Sequence, residues 1–359
     1  MIYLDNAATS HPKPPETVQW LTRFVESIGG NPGRSGHDSS VAAARIIFDA
    51  REKLSRFINS PDSRQVIFTQ NGTESLNMAL FGLLREGDHV ITTSMEHNSV
   101  MRPLTYLHES RHIDLTVIEC DRQGTFDPDI LPKEIKKNTR AFVVNHGSNI
   151  IGSVQPLGAL RKRIGDDIVF IVDACQTIGS VPIDVRADGI DILCFSCHKS
   201  LMGLQGTGAI YIRPGLDLTP LKFGGTGSKS EHIDQPDFLP DMYESGTPNT
   251  PGIAALLGSF EFIEKAGFDA IVAKKQDLRR RLLSLLASID GVTVYGGGIG
   301  ETARPVVSIN LHDKLPSETG YELNRRGIHV RIGLHCSPIA HKTIGTFPSG
   351  TVRISPGYF

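Results

Sequence analysis

The chain has 359 residues, which is enough for about two domains of ordinary size. Its 37 basic and 39 acidic residues nearly cancel, so the charge offers no general attraction to nucleic acid or to an anionic membrane, and neither partner is expected. No leader peptide and no apolar run of the ~18 residues that cross a bilayer is visible, and the five scattered cysteines favour a reducing cytoplasm.

Short apolar segments alternate with longer amphipathic segments from about residue 65. The apolar segments are rich in valine and isoleucine, which is typical of parallel strands covered on both faces. We therefore predict an α/β domain with a mainly parallel sheet. The predicted strands are residues 65–69, 89–93, 115–119, 141–144, 168–172, 190–196 and 208–212, and the predicted helices between them are 72–84, 99–108, 133–137 and 157–164.

The chain changes character after the last of these strands. Residues 214–251 are rich in proline and glycine, which predicts a long irregular segment, and long loops in compact proteins are often functional. Two helices are predicted at 252–266 and 269–289. Short strands at 292–295, 306–311, 329–332 and 352–354 with a helix near 317–326 then indicate a smaller α+β unit.

A zinc-protease pattern occurs once, in the segment from His108 to His112. The H-E-x-x-H chemistry needs both imidazoles on one face of a continuing helix. Here an apolar strand pattern begins immediately after His112, so we interpret the segment as a polar helix end. A zinc hydrolase that uses His108 and His112 stays open as a remote alternative.

Four polar positions follow predicted strands in a suggestive order. Thr73 lies in a strand–turn–helix junction that suits a phosphate, and His97 follows the next strand, where an imidazole can stack on a planar ring. Asp173 ends a core strand and can pair with a pyridinium nitrogen, and Lys199 follows another strand as a candidate Schiff-base amine. Each has an ordinary structural interpretation alone. Together they describe a site for pyridoxal 5'-phosphate (PLP).

The sequence resembles the class V aminotransferase-fold PLP enzymes of fold type I, and among them the group II cysteine desulfurases and selenocysteine lyases. The resemblance covers almost the whole chain, and many motifs in order make it specific. These motifs are Tyr3-Leu4-Asp5-Asn6-Ala7-Ala8-Thr9, Asn71-Gly72-Thr73-Glu74, Met95-Glu96-His97, Ser148-Asn149-Ile150-Ile151-Gly152, Val172-Asp173-Ala174-Cys175-Gln176, Ser196-Cys197-His198-Lys199, Glu244-Ser245-Gly246-Thr247-Pro248-Asn249-Thr250, Arg331-Ile332-Gly333-Leu334-His335-Cys336 and Val352-Arg353-Ile354-Ser355.

The resemblance implies a role for each cofactor residue. Lys199 would hold PLP covalently, Asp173 would pair with the ring nitrogen, and His97 would stack on the ring and assist proton transfer. Gln176 would hydrogen-bond the ring hydroxyl, and Asn149 would lie near both cofactor and substrate. The phosphate would be held by Gly72, Thr73, Ser196 and His198, and by Thr247 from the neighbouring subunit of a homodimer.

At the substrate end, the resemblance implies that Arg353 clamps the carboxylate of L-cysteine and that His37 lies nearby. Cys336 would take the substrate sulfur as a persulfide while alanine is released. We expect His335 and Arg331 to favour the Cys336 thiolate. A sulfur-acceptor protein is the expected partner, in the supply of sulfur for iron–sulfur clusters or thio-cofactors.

The implied architecture is a large domain of residues 15–255 and a small domain built from 1–14 and 256–359. Two departures from the family pattern stand out. Ile332 and Leu334 replace a threonine and a histidine, which makes the surroundings of Cys336 more apolar. The sequence ends at Phe359, where relatives generally continue with a helix that covers the small domain, so we expect either a truncated sequence or a small domain without that packing. A selenocysteine lyase, another class V lyase or aminotransferase that does not use Cys336, and a non-catalytic sulfur carrier remain alternatives.

Overall fold

The structure is a computed structural model that describes residues 1–33, 36–296 and 303–359. Strands and helices alternate through its centre. The strands are β1 Ile2–Tyr3, β2 Val66–Thr69, β3 His89–Thr93, β4 Asp114–Ile118, β5 Thr139–Asn145, β6 Val169–Asp173, β7 Ile192–Ser196, β8 Gly208–Ile212, β9 Val292–Tyr295, β10 Val307–Leu311, β11 Ile328–His329, β12 Arg331–Gly333 and β13 Thr351–Ile354. The α-helices are α1 Pro15–Arg23, α2 Asp38–Phe57, α3 Gly72–Leu83, α4 Asn98–Arg111, α5 Leu131–Glu134, α6 Leu157–Ile164, α7 Thr250–Ala266, α8 Phe268–Ala287, α9 Pro316–Arg325 and α10 Pro338–Thr343.

Seven strands of the described chain form the central sheet, in the order β2-β8-β7-β6-β5-β3-β4. Strands β3 to β7 pair in parallel, and only β8 runs antiparallel, between β2 and β7. Most of these strands are buried throughout, because helices cover both faces. The predicted α/β class with a mainly parallel sheet is confirmed.

The helices divide between the two faces of this sheet. Helices α1, α2 and α7 pack together on one side, and α3 and α4 pack together on the other. The sequence analysis did not predict α1 and α2. Both are amphipathic helices, but they precede residue 65, where the alternation of strands and helices on which the prediction is based begins.

The C-terminal part forms a second sheet, which is antiparallel and ordered β12-β13-β10-β9. The predicted strand at 329–332 is divided in two, because Ile328–His329 pairs with β1 while Arg331–Gly333 pairs with β13. The expected boundary between residues 255 and 256 falls inside α7 and stays a prediction. In the described parts of the chain, none of the helices combines the length and apolarity needed to cross a membrane.

The topology brings strand ends from the large sheet to one edge. Parallel strands β5, β6 and β7 end at Asn145, Asp173 and Ser196, and the register places Asn145 beside Asp173. The carboxyl edge of a parallel sheet is where α/β proteins place ligands. This edge therefore positions the candidate site.

Candidate active site

A cavity of about 110 Å³ opens at this edge of the sheet. It brings together nine of the ten residues predicted to bind the cofactor, leaving out Thr247. Its lining also contains four residues that the sequence analysis did not single out as ligands. The lining residues are Asn71, Gly72, Thr73, His97, Ser99, Asn145, Asn149, Asp173, Cys175, Gln176, Ser196, His198 and Lys199.

Lys199 and Asp173 lie in the lining of the same cavity. Asp173 is buried at the end of β6, and one carboxylate oxygen, Oδ1, accepts a hydrogen bond of 2.9 Å from the Cys175 amide. Burial lowers the pKa of the Lys199 amine, and the charges of Cys175 and Asp173 oppose that shift. A lysine whose pKa is lowered by desolvation carries more neutral amine, which is the nucleophilic form.

His97 caps the N-terminus of α4 and faces the cavity. Its Nδ1 accepts a hydrogen bond of 3.0 Å from the Ser99 amide, so the proton of the neutral ring lies on Nε2. Burial lowers the pKa of His97 to about 4, although the charge of Asp173 opposes that change. The imidazole is therefore uncharged near neutral pH and presents an N–H at Nε2.

The start of α3 forms one end of the cavity. Gly72 is the first residue of this helix, and a Cβ there would overlap Cys175 Sγ, so only glycine fits without moving that side chain. The next residue, Thr73, lies 2.7 Å from Ser99 through the two hydroxyl oxygens. A helix N-terminus with exposed amides and nearby hydroxyl groups is a natural phosphate site.

Three polar atoms of the lining are buried and have no hydrogen-bond partner within the described residues. They are Ser196 Oγ, His198 Nδ1 and Gln176 Oε1. Buried polar groups in proteins nearly always have a partner, so these atoms indicate a polar ligand. A phosphate near the α3 terminus, a ring hydroxyl near Gln176 and a ring nitrogen near Asp173 fit this donor and acceptor set. The residues present therefore fit PLP.

Arg353 lies on β13 and is only 1% exposed. Its Nη2 donates to Asp5 Oδ1 at 2.7 Å, and its Nη1 donates to the Asn149 carbonyl at 3.0 Å. Its Nε has no partner in the residues that the structure describes. The guanidinium predicted to clamp the substrate carboxylate is therefore held by an internal carboxylate, that of Asp5, which the sequence analysis did not assign to the site. The clamp role of Arg353 stays a prediction.

Cys336 lies in the loop between β12 and α10, and it is the exposed cysteine of the five. Its carbonyl accepts a hydrogen bond of 2.8 Å from the amide of Asn98, the first residue of α4. The side chain of Asn149 holds the same loop, donating to the His335 carbonyl at 2.8 Å and accepting from Ser337 Oγ at 2.9 Å. The loop is therefore tied to the helix that His97 caps and to the cavity lining.

The sequence analysis expected the charge of His335 to favour the Cys336 thiolate, and the structure corrects this expectation. His335 is 4% exposed, and its ring lies 3.2 Å from His341, between Nδ1 and Nε2. Burial above all, with the charge of Arg353 as the second cause, lowers the pKa of His335 to about 2. The imidazole carries no positive charge near neutral pH, so it offers no charge attraction to a thiolate.

Four predicted site residues are not part of the cavity lining. Two of them, Arg353 and Cys336, are described above, and the other two are His37 and Thr247. His37 is exposed at the N-terminus of α2, where its Nδ1 accepts from the Ser40 amide at 3.2 Å. Thr247 is exposed too and lines a different cavity of about 510 Å³. Asn71 lines both cavities, so the Thr247 cavity adjoins the site. Their assigned roles stay predictions.

The zinc-protease pattern is not arranged for metal binding. Helix α4 ends at Arg111, and His112 follows in a left-handed conformation with φ of 51°, so its ring does not share a helix face with His108. His108 Nδ1 instead lies 2.6 Å from the Ile113 carbonyl. Across the described ranges, no group of three or more potential ligands clusters as a metal site.

Comparisons with known proteins show which family the chain belongs to. The family model described as aminotransferase class-V matches residues 2–359. A probable cysteine desulfurase of Methanothermobacter thermautotrophicus is 33% identical over 367 residues, covering 100% of this chain and 90% of that protein. The apo structure of a cysteine desulfurase from Thermococcus onnurineus NA1 has a TM-score of 0.93 and 31% identity, covering 99% of this chain and 90% of that one.

The cysteine desulfurase CsdA of Escherichia coli, crystallised in an S-sulfonic acid form, has a TM-score of 0.89 and 25% identity. That match covers 99% of this chain and 90% of the CsdA chain. The match of the family model over nearly the whole sequence confirms the resemblance found in the motifs. The chain belongs to the aminotransferase class-V family.

Proposed function

We propose that this protein is a PLP-dependent cysteine desulfurase, which converts L-cysteine to L-alanine and takes the sulfur on Cys336 as a persulfide. The observation that carries the proposal is the position of Cys336, an exposed thiol whose loop is hydrogen-bonded to the start of α4, beside His97 and the cavity. The names of relatives at 33% and 32% identity over nearly the whole chain support it.

The cavity lining suggests how PLP would be held. Lys199 would bind it covalently, Asp173 would pair with the ring nitrogen, and Gln176 would meet the ring hydroxyl. When bound, PLP supplies an electron sink for bonds at the substrate α-carbon. The phosphate ligands would be Gly72, Thr73, Ser196 and His198, whose lining positions at the start of α3 and after β7 support this assignment.

The chain's own groups supply the proton chemistry and the substrate contacts. The lowered pKa of Lys199 favours an amine that can accept a proton, and His97 presents its Nε2–H on the same cavity. Arg353 would bind the substrate carboxylate through its planar guanidinium. Asp5 now occupies one of its N–H groups, so substrate would share or displace that contact.

The exposed position of Cys336 also suits a second transfer. A persulfide on a surface loop is accessible to another protein, so the proposed partner is a sulfur-acceptor protein in iron–sulfur cluster or thio-cofactor assembly. The five cysteines form no disulfide with one another, which supports a reducing compartment such as the cytoplasm.

A homodimer with shared sites is part of the proposal. The segment before α7 carries exposed apolar residues, with Phe223 at 69% and Ile233 at 103% exposure, and exposed apolar clusters often mark interfaces. The same segment carries Thr247, which lines the cavity next to the cofactor site. The partner's Thr247 would complete the phosphate site of each subunit.

The test is brief incubation of the holoprotein with L-cysteine, followed by mass spectrometry of the five cysteines. We expect one added sulfur on Cys336. Cys336→Ser should keep PLP but lose alanine and sulfide release by about 100-fold or more. Cys120→Ser is the control, because burial raises the pKa of Cys120 to about 12 and keeps it unreactive.

Undiminished alanine and sulfide release by Cys336→Ser, with no persulfide on the unchanged protein, would contradict the proposal. That result would point to a lyase or an aminotransferase that does not use Cys336. Release of selenium from selenocysteine by the variant would not contradict the proposal, because selenium leaves more readily than sulfur and does not require the thiol.

A further inference from the structure

Two buried cations lie next to Lys199 on the side of α8. Lys275 of α8 is 6% exposed, and Arg304, just before β10, is 4% exposed. Both line a small cavity of about 20 Å³ together with Lys199 and Ser200. Lys199 also lines the larger cofactor cavity, so the two spaces adjoin at this residue.

The hydrogen bonds of these two cations are incomplete. Arg304 Nη2 donates to Ser200 Oγ at 3.0 Å, while Nε and Nη1 have no partner among residues 1–33, 36–296 and 303–359. Lys275 Nζ makes one long contact of 3.4 Å, to Ser180 Oγ. Within the same ranges, neither side chain forms a salt bridge with an acidic group. N–H groups on both cations therefore remain available to a ligand.

Buried positive charge without a counter-ion is unstable in a protein interior. Transfer of an unpaired ammonium or guanidinium from water is costly unless it loses its charge or gains an anion. Burial, with repulsion from Arg304 as the second cause, lowers the pKa of Lys275 to about 7. Burial lowers the pKa of Arg304 to about 9, so its guanidinium stays charged at neutral pH.

We propose that Lys275 and Arg304 together bind a small inorganic anion of halide size, chloride, in the cavity behind Lys199. The cavity volume decides the size of the ligand. A space of about 20 Å³ holds about one water-sized particle, which suits a halide better than a sulfate, a phosphate or an amino-acid carboxylate. The two cations decide its charge.

The bound anion would act on Lys199 as well as on the fold. The charge of Arg304 is among the causes that lower the pKa of Lys199. An anion beside Arg304 offsets part of that positive potential and so favours the protonated amine of Lys199. Chloride therefore both stabilises the folded protein and moderates the basicity of the amine proposed to hold the cofactor.

The first test locates the ion in crystals of the holoprotein grown in sodium bromide. We expect an anomalous scattering peak within about 3.5 Å of Lys275 Nζ or of the Arg304 guanidinium, near the upper limit of hydrogen-bond contacts. Bromide replaces chloride at such sites and is visible at its absorption edge. Absence of a peak in this cavity overturns the proposal, whatever bromide binds elsewhere.

The second test compares thermal unfolding of the holoprotein in sodium chloride and in sodium gluconate at equal ionic strength. We expect a midpoint about 2 °C higher in chloride. Lys275→Met and Lys275→Gln should lose this difference. Lys162→Met should keep it, because Lys162 is an exposed helical lysine far from the cavity in sequence.

Equal midpoints in the two salts for the unchanged protein would overturn the proposal and would mean that Lys275 is simply a neutral buried amine. A chloride effect that both Lys275 variants retain would overturn it as well. Neither readout depends on cysteine turnover, so the outcome is independent of the proposed desulfurase activity.

Discussion

At the scale of one residue, Glu96 shows how burial at this site changes the protonation of a carboxyl group. The side chain is fully buried beside His97, and its Oε1 accepts from Thr93 Oγ1 at 2.6 Å and from the Asn145 amide at 3.0 Å. Burial raises the pKa of Glu96 to about 8, although those hydrogen bonds oppose the shift. The carboxyl is therefore largely protonated near neutral pH.

This pKa predicts how the stability of the protein changes with pH. The pKa of Glu96 is higher in the folded state than the ordinary 4.5. The contribution of Glu96 to the free energy of unfolding is therefore fully stabilising below about pH 4.5. The contribution falls as pH rises from about 4.5 to about 8, where the unfolded chain ionises more readily. Glu96→Gln should remove this fall and stabilise the protein at pH 8 by about 2 kcal/mol.

Thermal or urea unfolding at pH 5, 6.5 and 8 would measure the difference between the variant and the unchanged protein. Glu86→Gln is the control, because Glu86 is exposed and its removal should leave the pH dependence unchanged. Parallel curves for the unchanged protein and Glu96→Gln would mean that Glu96 is ionised in the folded state.

The sequence analysis was most successful for residues at strand ends. Lys199, Asp173 and His97 all border one cavity, because each follows a core strand and the carboxyl ends of such strands meet. Asp5 was missed as the partner of Arg353, since the two lie 348 positions apart and no local pattern links them. Contacts of that kind depend on the packing of two sheets, which sequence spacing does not reveal.

At the scale of elements, the contact between α1 and α7 depends on one glycine. A Cβ at Gly258 of α7 would overlap the backbone of Glu16 and Thr17 in α1. Thr17 Oγ1 also lies 3.0 Å from Ser259 Oγ, so the two helices touch closely at this point. The overlapping atoms belong to the backbone, which cannot adopt another rotamer as a side chain can, so α1 would have to move.

We therefore expect Gly258→Ala to destabilise the protein by about 2 kcal/mol, since overpacking outweighs the higher helix propensity of alanine. Gly158→Ala in α6 is the matched control. Its Cβ would meet only Asp188 Oδ1 at 3.9 Å, so this change should be neutral or stabilise by up to about 1 kcal/mol. Equal unfolding midpoints for the two variants would refute the close-contact argument.

The elements predicted most accurately are those with a clear apolar pattern in the sequence. Strand 89–93 and helix 157–164 were predicted with the observed bounds, because each is a clear apolar run or an amphipathic repeat between turn residues. Helices α1, α2 and α10 were not predicted. The short α10 has only six residues, too few to show a helical period, and it is stabilised by the packing of Ala340 and Ile344 against the large unit.

At the scale of the whole molecule, the two sheets meet around the site. β1 pairs with β11, Asp5 bridges to Ser355, and the loop that carries Cys336 is hydrogen-bonded to α4 of the large unit. The site therefore takes residues from the beginning, the middle and the end of the chain. Thr247 is the exception, because it lines the neighbouring cavity and belongs to an exposed segment.

A mixing experiment tests whether Thr247 serves the partner's site. Lys199→Ala removes the amine proposed to hold the cofactor, and Thr247→Asp places a negative charge against the proposed phosphate, so each variant alone should be nearly inactive. In a mixed dimer with shared sites, both changes fall in one site and the other site is unchanged. Half of the dimers are mixed in an equal mixture, so refolding the variants together should restore about a quarter of the full activity.

Sites built within one subunit predict a different result. Each mixed dimer would then hold one site with the Lys199 change and one with the Thr247 change, and activity would stay at the level of the separate variants. Mixing the Lys199→Ala protein with itself is the control for refolding. Exposed Phe223 and Ile233 lie in the same segment as Thr247. Packing of this segment against a second copy would bury the apolar side chains and would account for the position of Thr247 outside the cofactor cavity of its own subunit.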